Sequence, residues 1–176
     1  MVSISARFCG GTNRMAMTMQ KKITLVLYSD IFKSAIDHYV IREIQFTGAP
    51  QEAVKLSERN KQRHPVLVLA DDDVVGFFVL HEGDGPKKYT DHPHTLLLRT
   101  FSIDSRYQGQ GYGSCAIALL DEFVNRLFPS AEEIVLGVNH NNVPAQKLYL
   151  HHGFTDTGRR VIGIHGEQWV LSRTVR

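Results

Sequence analysis

Apolar and polar positions along this chain alternate between two periods, one of about two residues and one of three to four. Ile23 to Tyr28 is a short β-branched and apolar run ending at Ser29-Asp30, residue types that cap helix N-termini, so a strand hands over to a helix there. From Ile31 the apolar positions Ile31, Ala35, Ile36, Tyr39 and Val40 follow helical spacing. Pro50 then punctuates before a more polar helical stretch through Arg59. Pro65 to Ala70, Asp71-Asp72-Asp73 and Val74 to His81 read as strand, tight turn and strand, an antiparallel hairpin. The three aspartates read as a solvated turn, because a metal site needs further ligands at suitable spacing. Glu82 to His94, with Gly83, Gly85, Pro86 and Pro93, is a loop of the length that often carries function.

The second half repeats the alternation. Leu96 to Ile103 is apolar and β-prone; past a glycine-rich turn, Ala116, Leu119, Leu120, Phe123, Val124 and Leu127 mark one helix face, and Pro129 ends it. Glu133 to Val138 reads as a buried strand and Asn142 to His151 as a helix. Phe154 to Ile164 and Gln168 to Arg173 read as two strands joined at Gly166. This order predicts an α/β fold, one mixed sheet with helices packed on it.

Composition narrows the reading. The 176 residues make one domain, and 43% hydrophobic content suffices for a core without staples. Twenty Lys and Arg against eighteen Asp and Glu leave a net charge of +2 with the signs mixed, so no basic stripe points to nucleic acid. The longest apolar runs fall far short of the roughly 20 residues that cross a bilayer, so no membrane partner is expected. Cys9 and Cys115 cannot form a disulfide framework and match no zinc spacing, a usage that fits the reducing cytoplasm. Residues 1–20 carry Gly10-Gly11 and methionines at 15, 17 and 19. The fold is expected to start near Lys21, with the first twenty residues a disordered or extraneous segment and 21–176 the domain. His92-Pro93-His94 and His151-His152 offer no third ligand at useful spacing, so no metal is expected. Cys115 is a candidate reactive thiol near a helix start, though a small buried filler is the simpler reading. A homodimer is left open.

The chemistry concentrates in Ile103 to Ser114, where glycines stand at 109, 111 and 113 between a strand and an amphipathic helix. Without Cβ atoms these positions let the backbone approach a ligand closely, and the unpaired N–H groups of the helix's first turn converge there with the positive end of its dipole. That is an anion site built from backbone, or else a bare glycine-rich turn. A Walker loop is excluded because no Lys follows the glycines; a dinucleotide fingerprint fails because the third glycine comes too early and the next strand ends in Asn139.

These residues resemble the GNAT family of N-acetyltransferases. Gln108-Gly109-Gln110-Gly111-Tyr112-Gly113 matches the family loop Gln/Arg-x-x-Gly-x-Gly/Ala. Asn142, Ala145, Leu148, Tyr149, Gly153 and Phe154 match Asn-x-x-Ala-x-x-Leu-Tyr-x-x-x-Gly-Phe. The resemblance covers Leu96 to Phe154 by motif and, by element order, extends over Lys21 to Arg173. It implies an acyl-CoA N-acyltransferase fold with a mixed sheet of six to seven strands and about four helices. It also implies transfer of the acetyl group of acetyl-CoA to an amine by direct attack in a ternary complex. The amides of Gln108, Gly109, Gln110, Gly111, Tyr112, Gly113 and Ser114 are then expected to cradle the pyrophosphate. Backbone groups of Phe101, Ser102 and Ile103 would hold the pantetheine like an added strand, Asn142 would hold its arm or cap the helix, and Tyr149 would be the general acid. A non-catalytic acyl-CoA sensor or docking module is the alternative.

Leu96, Leu97, Leu98, Arg99 and Thr100 supply no carboxylate where some family members place a basic glutamate, so the base is left among His81, Asp104 and ordered water; Asp104 also reads as a turn cap. The chain is broadly similar to bacterial polyamine and small-amine acetyltransferases of the family, with a small-molecule amine (polyamine, amino acid or similar) or a peptide as acceptor. By the two-residue period Arg99 shares a strand face with Phe101 and Ile103. A cation facing the cleft there disfavours a polyamine and favours an acceptor that carries a carboxylate.

Overall fold

The structure, a computed structural model, describes residues 3–8, by their backbone, and 21–176. Its strands are β1 (Ser3–Phe8), β2 (Lys22–Leu27), β3 (Arg63–Ala70), β4 (Asp73–His81), β5 (Thr95–Ile103), β6 (Glu133–Asn139), β7 (Thr155–Gly163) and β8 (Gly166–Thr174). Its helices are α1 (Lys33–Asp37), α2 (Pro50–Arg59), α3 (Tyr112–Ala118), α4 (Leu120–Leu127) and α5 (Val143–His151). They form one mixed sheet in the order β1-β2-β3-β4-β5-β6-β8-β7, in which β2 to β8 are the seven strands expected and β1 adds an edge. The expectation for residues 1–20 lies for the most part outside the described residues; Ser3–Phe8 within it pairs antiparallel with β2, Ser3 opposite Val26.

Helices cover both faces. One face packs Leu80, Leu96, Leu98 and Ile134 against Cys115, Ile117, Leu120 and Phe123 of α3 and α4 and Tyr149 of α5. The other packs Val26, Leu67, Phe77 and Val79 against Ile36 of α1 and Ala53 and Val54 of α2. Leu119 links α3 to α4 in helical conformation, its N–H on Cys115 O and its carbonyl accepting from Phe123, so the two form an almost continuous rod. Cys115 is buried in that rod and is not a free thiol, which removes it as a reactive-thiol candidate. The helix expected from Ile31 to Val40 shrinks to a 3-10 turn at Asp30–Phe32 followed by α1. It ends early because the Val40 N–H goes to the Asp104 carboxylate (3.1 Å) and the Tyr39 hydroxyl to Ser102 O (2.9 Å), pulling the chain across the end of β5.

Two irregularities open the sheet. The parallel pair β5–β6 is hydrogen-bonded only from Thr95 opposite Glu133 to Leu98 opposite Leu136. Beyond that point β5 stays with β4, and β6 stays with β8 as far as Asn139, so the two strands part. The second irregularity is a bulge: Val79 faces Arg99 while Phe77 faces Ser102, which puts one extra residue into β5, and Thr100 lies there at φ 55°. The bulge overturns the face expected for Arg99. Leu98 and Phe101 both pack on the α3–α5 side, three residues apart, so Arg99 shares the opposite face with Leu97 and Ser102. Among the described residues no helix is long and apolar enough to cross a membrane.

Candidate active site

The parting of β5 from β6 makes a cavity of about 490 Å³, within the range of small-molecule sites. Its walls are Leu98 to Ile103 of β5 and Leu136 to Asn139 of β6. Gln108 and Gly109 of the glycine turn, the α5 N-cap Asn142 and Leu148 and Tyr149 of α5 close one end; Glu43, Phe46 and Thr47 of the α1–α2 loop line the other. The cavity thus passes through the sheet, from the α3–α5 face to the α1–α2 face.

The glycine turn is built by conformations that side chains resist. Gly109 and Gly111 sit at φ 76° and 83°, and no atom lies within 4 Å of a Cβ placed on either, so both face open space. Gly111 caps α3, and the first N–H of the helix to reach a backbone carbonyl is that of Cys115, on Gly111 O at 3.1 Å. The N–H groups of Gln108 to Ser114 precede it, at the positive end of the α3–α4 rod. An oxyanion such as a pyrophosphate fits open space lined by backbone donors, and the cradle itself supplies no side-chain charge. Gln108 and Gly109 line the cavity directly, whereas Gln110 to Ser114 continue the turn beyond it. The Tyr112 ring is buried in the core, and Ser114 Oγ is 2.7 Å from His152 Nε2.

Phe101, Ser102 and Ile103 all line the cavity. Two of their carbonyls already have partners: Ser102 O accepts from Tyr39, and Ile103 O accepts from Gln108 Nε2 at 3.2 Å. Asn142 accepts the Ala145 N–H at 3.2 Å as the N-cap of α5 while lining the cavity, so the capping role is met. Tyr149 is 6% exposed, packs edge-on against Phe154 and tilted to Phe101, and its hydroxyl has no hydrogen-bond partner among the described residues. Burial pushes its phenol well above the ordinary range, so it is protonated at any working pH.

The two side chains expected as bases do not line the cavity. Asp104 is fully buried and takes N–H groups from Val40 and from the Arg106 backbone and guanidinium; burial works to raise its pKa, but these bonds outweigh it and hold the carboxyl below the ordinary range. It secures the turn after β5. His81, 5% exposed, is brought down to about 4 by burial and by Arg63 and Arg99, and its Nδ1 lies 3.5 Å from Arg99 Nη1. Glu43 is the one carboxylate lining the cavity among the described residues, and neither it, Phe46 nor Thr47 carried any sequence signal, since they lie in an irregular loop. Asn139 was visible as the polar end of an apolar strand. It lines the cavity and ties β6 to the β7–β8 turn through His165 O at 2.7 Å.

Known proteins resemble this chain in sequence and in fold. Residues 29–154 match the acetyltransferase (GNAT) family. An uncharacterized N-acetyltransferase, YbbJ, of Bacillus subtilis is 42% identical over 128 residues, 72% of this chain and 80% of that protein. The spermine/spermidine N(1)-acetyltransferase of the same organism is 31% identical over 105 residues, 59% of this chain and 66% of that protein. Among solved structures, an aminoglycoside acetyltransferase AAC(6')-Ib bound to coenzyme A superposes with a TM-score of 0.70 at 18% identity, covering 86% of this chain and 94% of its own. The ribosomal L7/L12 acetyltransferase RimL with coenzyme A reaches 0.65 at 12% identity, covering 87% and 94%. The chain belongs to the GNAT family and has its fold. It is an acetyl-CoA-dependent N-acetyltransferase.

Proposed function

We propose that this enzyme acetylates the primary amine of a small molecule or a peptide, in a cavity that takes acetyl-CoA from the α3–α5 face and the acceptor from the α1–α2 face. The observation that carries the reading is the cavity itself, which runs from the open glycine turn past Tyr149 to the α1–α2 loop. The amides of Gln108 to Ser114 hold the pyrophosphate, and β5 from Phe101 to Ile103 aligns the pantetheine, chiefly through Phe101 and the N–H groups, since two carbonyls are engaged. Asn142 holds the arm from the other side. Acetyl-CoA supplies an activated thioester; the acceptor nitrogen forms the C–N bond, the C–S bond breaks, and the electron pair leaves on sulfur. Tyr149 gives that sulfur its proton and recovers one from solvent as CoA leaves. Desolvation penalises a thiolate as it does the tyrosinate, so burial acts on both ends of the transfer. The ammonium proton leaves to water on the open face, where Glu43 stands. The domain spans 21–176 with Ser3–Phe8 added as an edge strand of its sheet, and the compartment is the cytoplasm, where acetyl-CoA is available.

Calorimetric titration with acetyl-CoA, CoA, ATP and NAD, followed by free-thiol detection on an amine panel, tests this reading. Acetyl-CoA and CoA are expected to bind and ATP and NAD to fail. Tight CoA binding with no thiol release on a broad panel points instead to a docking module.

A further inference from the structure

Arg99 is the cationic group that lines the cavity among the described residues, and the bulge at Thr100 sets it on the acceptor side. It lines the cavity from the sheet face that also carries α1 and α2, and it has no carboxylate partner among the described residues. A second guanidinium, Arg63, lies close enough to feel it: burial and the Arg99 charge together hold Arg63 below its ordinary pKa. The acids nearby are spent elsewhere, Glu82 on His64 at 2.8 Å and Asp84 on Lys87. His81 fixes Arg99 without cancelling its charge. Its ring is buried, is wedged where Gly85 leaves no room for a Cβ, and presents Nδ1 to the Arg99 guanidinium. At the same end Thr47 Oγ1 is buried and has no hydrogen-bond partner among the described residues.

A cavity with a guanidinium that has no carboxylate partner, a hydroxyl with no bond among the described residues and one exposed carboxylate, Glu43, matches an acceptor bearing both charges. We propose that Arg99 recognises a carboxylate on the acceptor, so that the substrate class is amino carboxylates, free amino acids or close analogues, in preference to polyamines. The inference rests on the transferase reading above. Arg suits the role because its planar fork binds a carboxylate through two parallel bonds, while a polyamine brings only further positive charge against Arg99 and Arg63.

The test uses acceptor pairs that differ only in the carboxylate, lysine with cadaverine and phenylalanine with phenethylamine, plus spermidine, with thiol release read as kcat/KM. The wild type is expected to prefer the carboxylate member of each pair by roughly 10- to 100-fold, the weight of a charge-assisted contact. Arg99→Gln is expected to collapse that ratio towards one, and Arg99→Lys to restore part of it. Near-ultraviolet circular dichroism checks that the variants fold. Equal or better use of cadaverine, phenethylamine or spermidine by the wild type overturns the proposal, as does a ratio unmoved in Arg99→Gln, or no turnover of either member while acetyl-CoA binds. Failure of acetyl-CoA to bind in calorimetry instead removes the transferase reading on which the proposal stands.

Discussion

Tyr149 and His81 are both buried, yet burial has opposite uses in them. For Tyr149 it guarantees a protonated hydroxyl at the point where a thiolate must be quenched. Tyr149→Phe is therefore expected to lower kcat by a factor of roughly 10 to 10³ with little change in the KM for acetyl-CoA, because the ring and its packing on Phe101 and Phe154 survive. Steady-state kinetics check this, and an unchanged kcat removes Tyr149 from the mechanism. For His81 burial keeps the ring neutral. Its folded pKa of about 4 lies below the 6.5 of an unfolded histidine, so below pH 6.5 the unfolded chain binds more protons and stability falls as the pH drops towards 4. Arg63, Arg99 and His64 push the same way, and Asp84 opposes them. Urea unfolding is expected to lose roughly 2 kcal/mol of stability between pH 7 and pH 5 through this group, and His81→Gln to remove most of that slope. An identical slope in the variant refutes the assignment.

At the level of elements, the glycine turn separates strain from ligand contact. Gly111→Ala places a Cβ in open space at a left-handed φ, so nothing in the protein is struck. It is expected to cost about 1 kcal/mol in urea unfolding and to raise the KM for acetyl-CoA at least about tenfold, since the methyl occupies the anion's approach. Gly113→Ala lies inside α3 without a left-handed φ, and its Cβ meets Ile103, Leu148 and Phe101 at ordinary contact distances of 3.6–3.8 Å, so stability should hold or rise by a few tenths of a kcal/mol. Equal losses in both variants refute the distinction. The turn was legible because a left-handed φ leaves a glycine in the sequence. The Thr100 bulge left only a faint trace: the run Leu96-Leu97-Leu98 hides the period, and the two adjacent polar residues Arg99-Thr100 between Leu98 and Phe101 mark the slip, so a two-residue period counted straight through assigns Arg99 to the wrong face. The shortened α1 had the same origin, its helical spacing at Tyr39 and Val40 overridden by bonds to Ser102 and Asp104, more than sixty residues away. The α1–α2 loop left no trace because Glu43, Phe46 and Thr47 are placed by the packing of the whole sheet and not by a local period.

Across the whole molecule the place where two neighbouring strands part is the end of the β5–β6 pair, and that parting sets how ligands should register on the protein. The β6–β8 ladder runs unbroken from Glu133–Thr174 to Asn139–Gln168, so its amides are already protected. The amides of Gln108 to Ser114 precede the first backbone bond of α3 and are expected to exchange fast without ligand. Acetyl-CoA is therefore expected to slow hydrogen exchange at 101–103 and 108–114 and leave the β6–β8 ladder unchanged, while an acceptor that fits slows exchange at 43–47 across the sheet. At about 100 times its Kd a ligand confined to the native state adds roughly 2.7 kcal/mol, which in a chain of this size raises Tm by roughly 5–10 °C. Acetyl-CoA and CoA should show that shift, and ATP and NAD at equal concentration should not. If protection from acetyl-CoA fell on 43–47 and spared 108–114, the two ends of the cavity would have to exchange roles, with the acceptor entering beside the glycine turn.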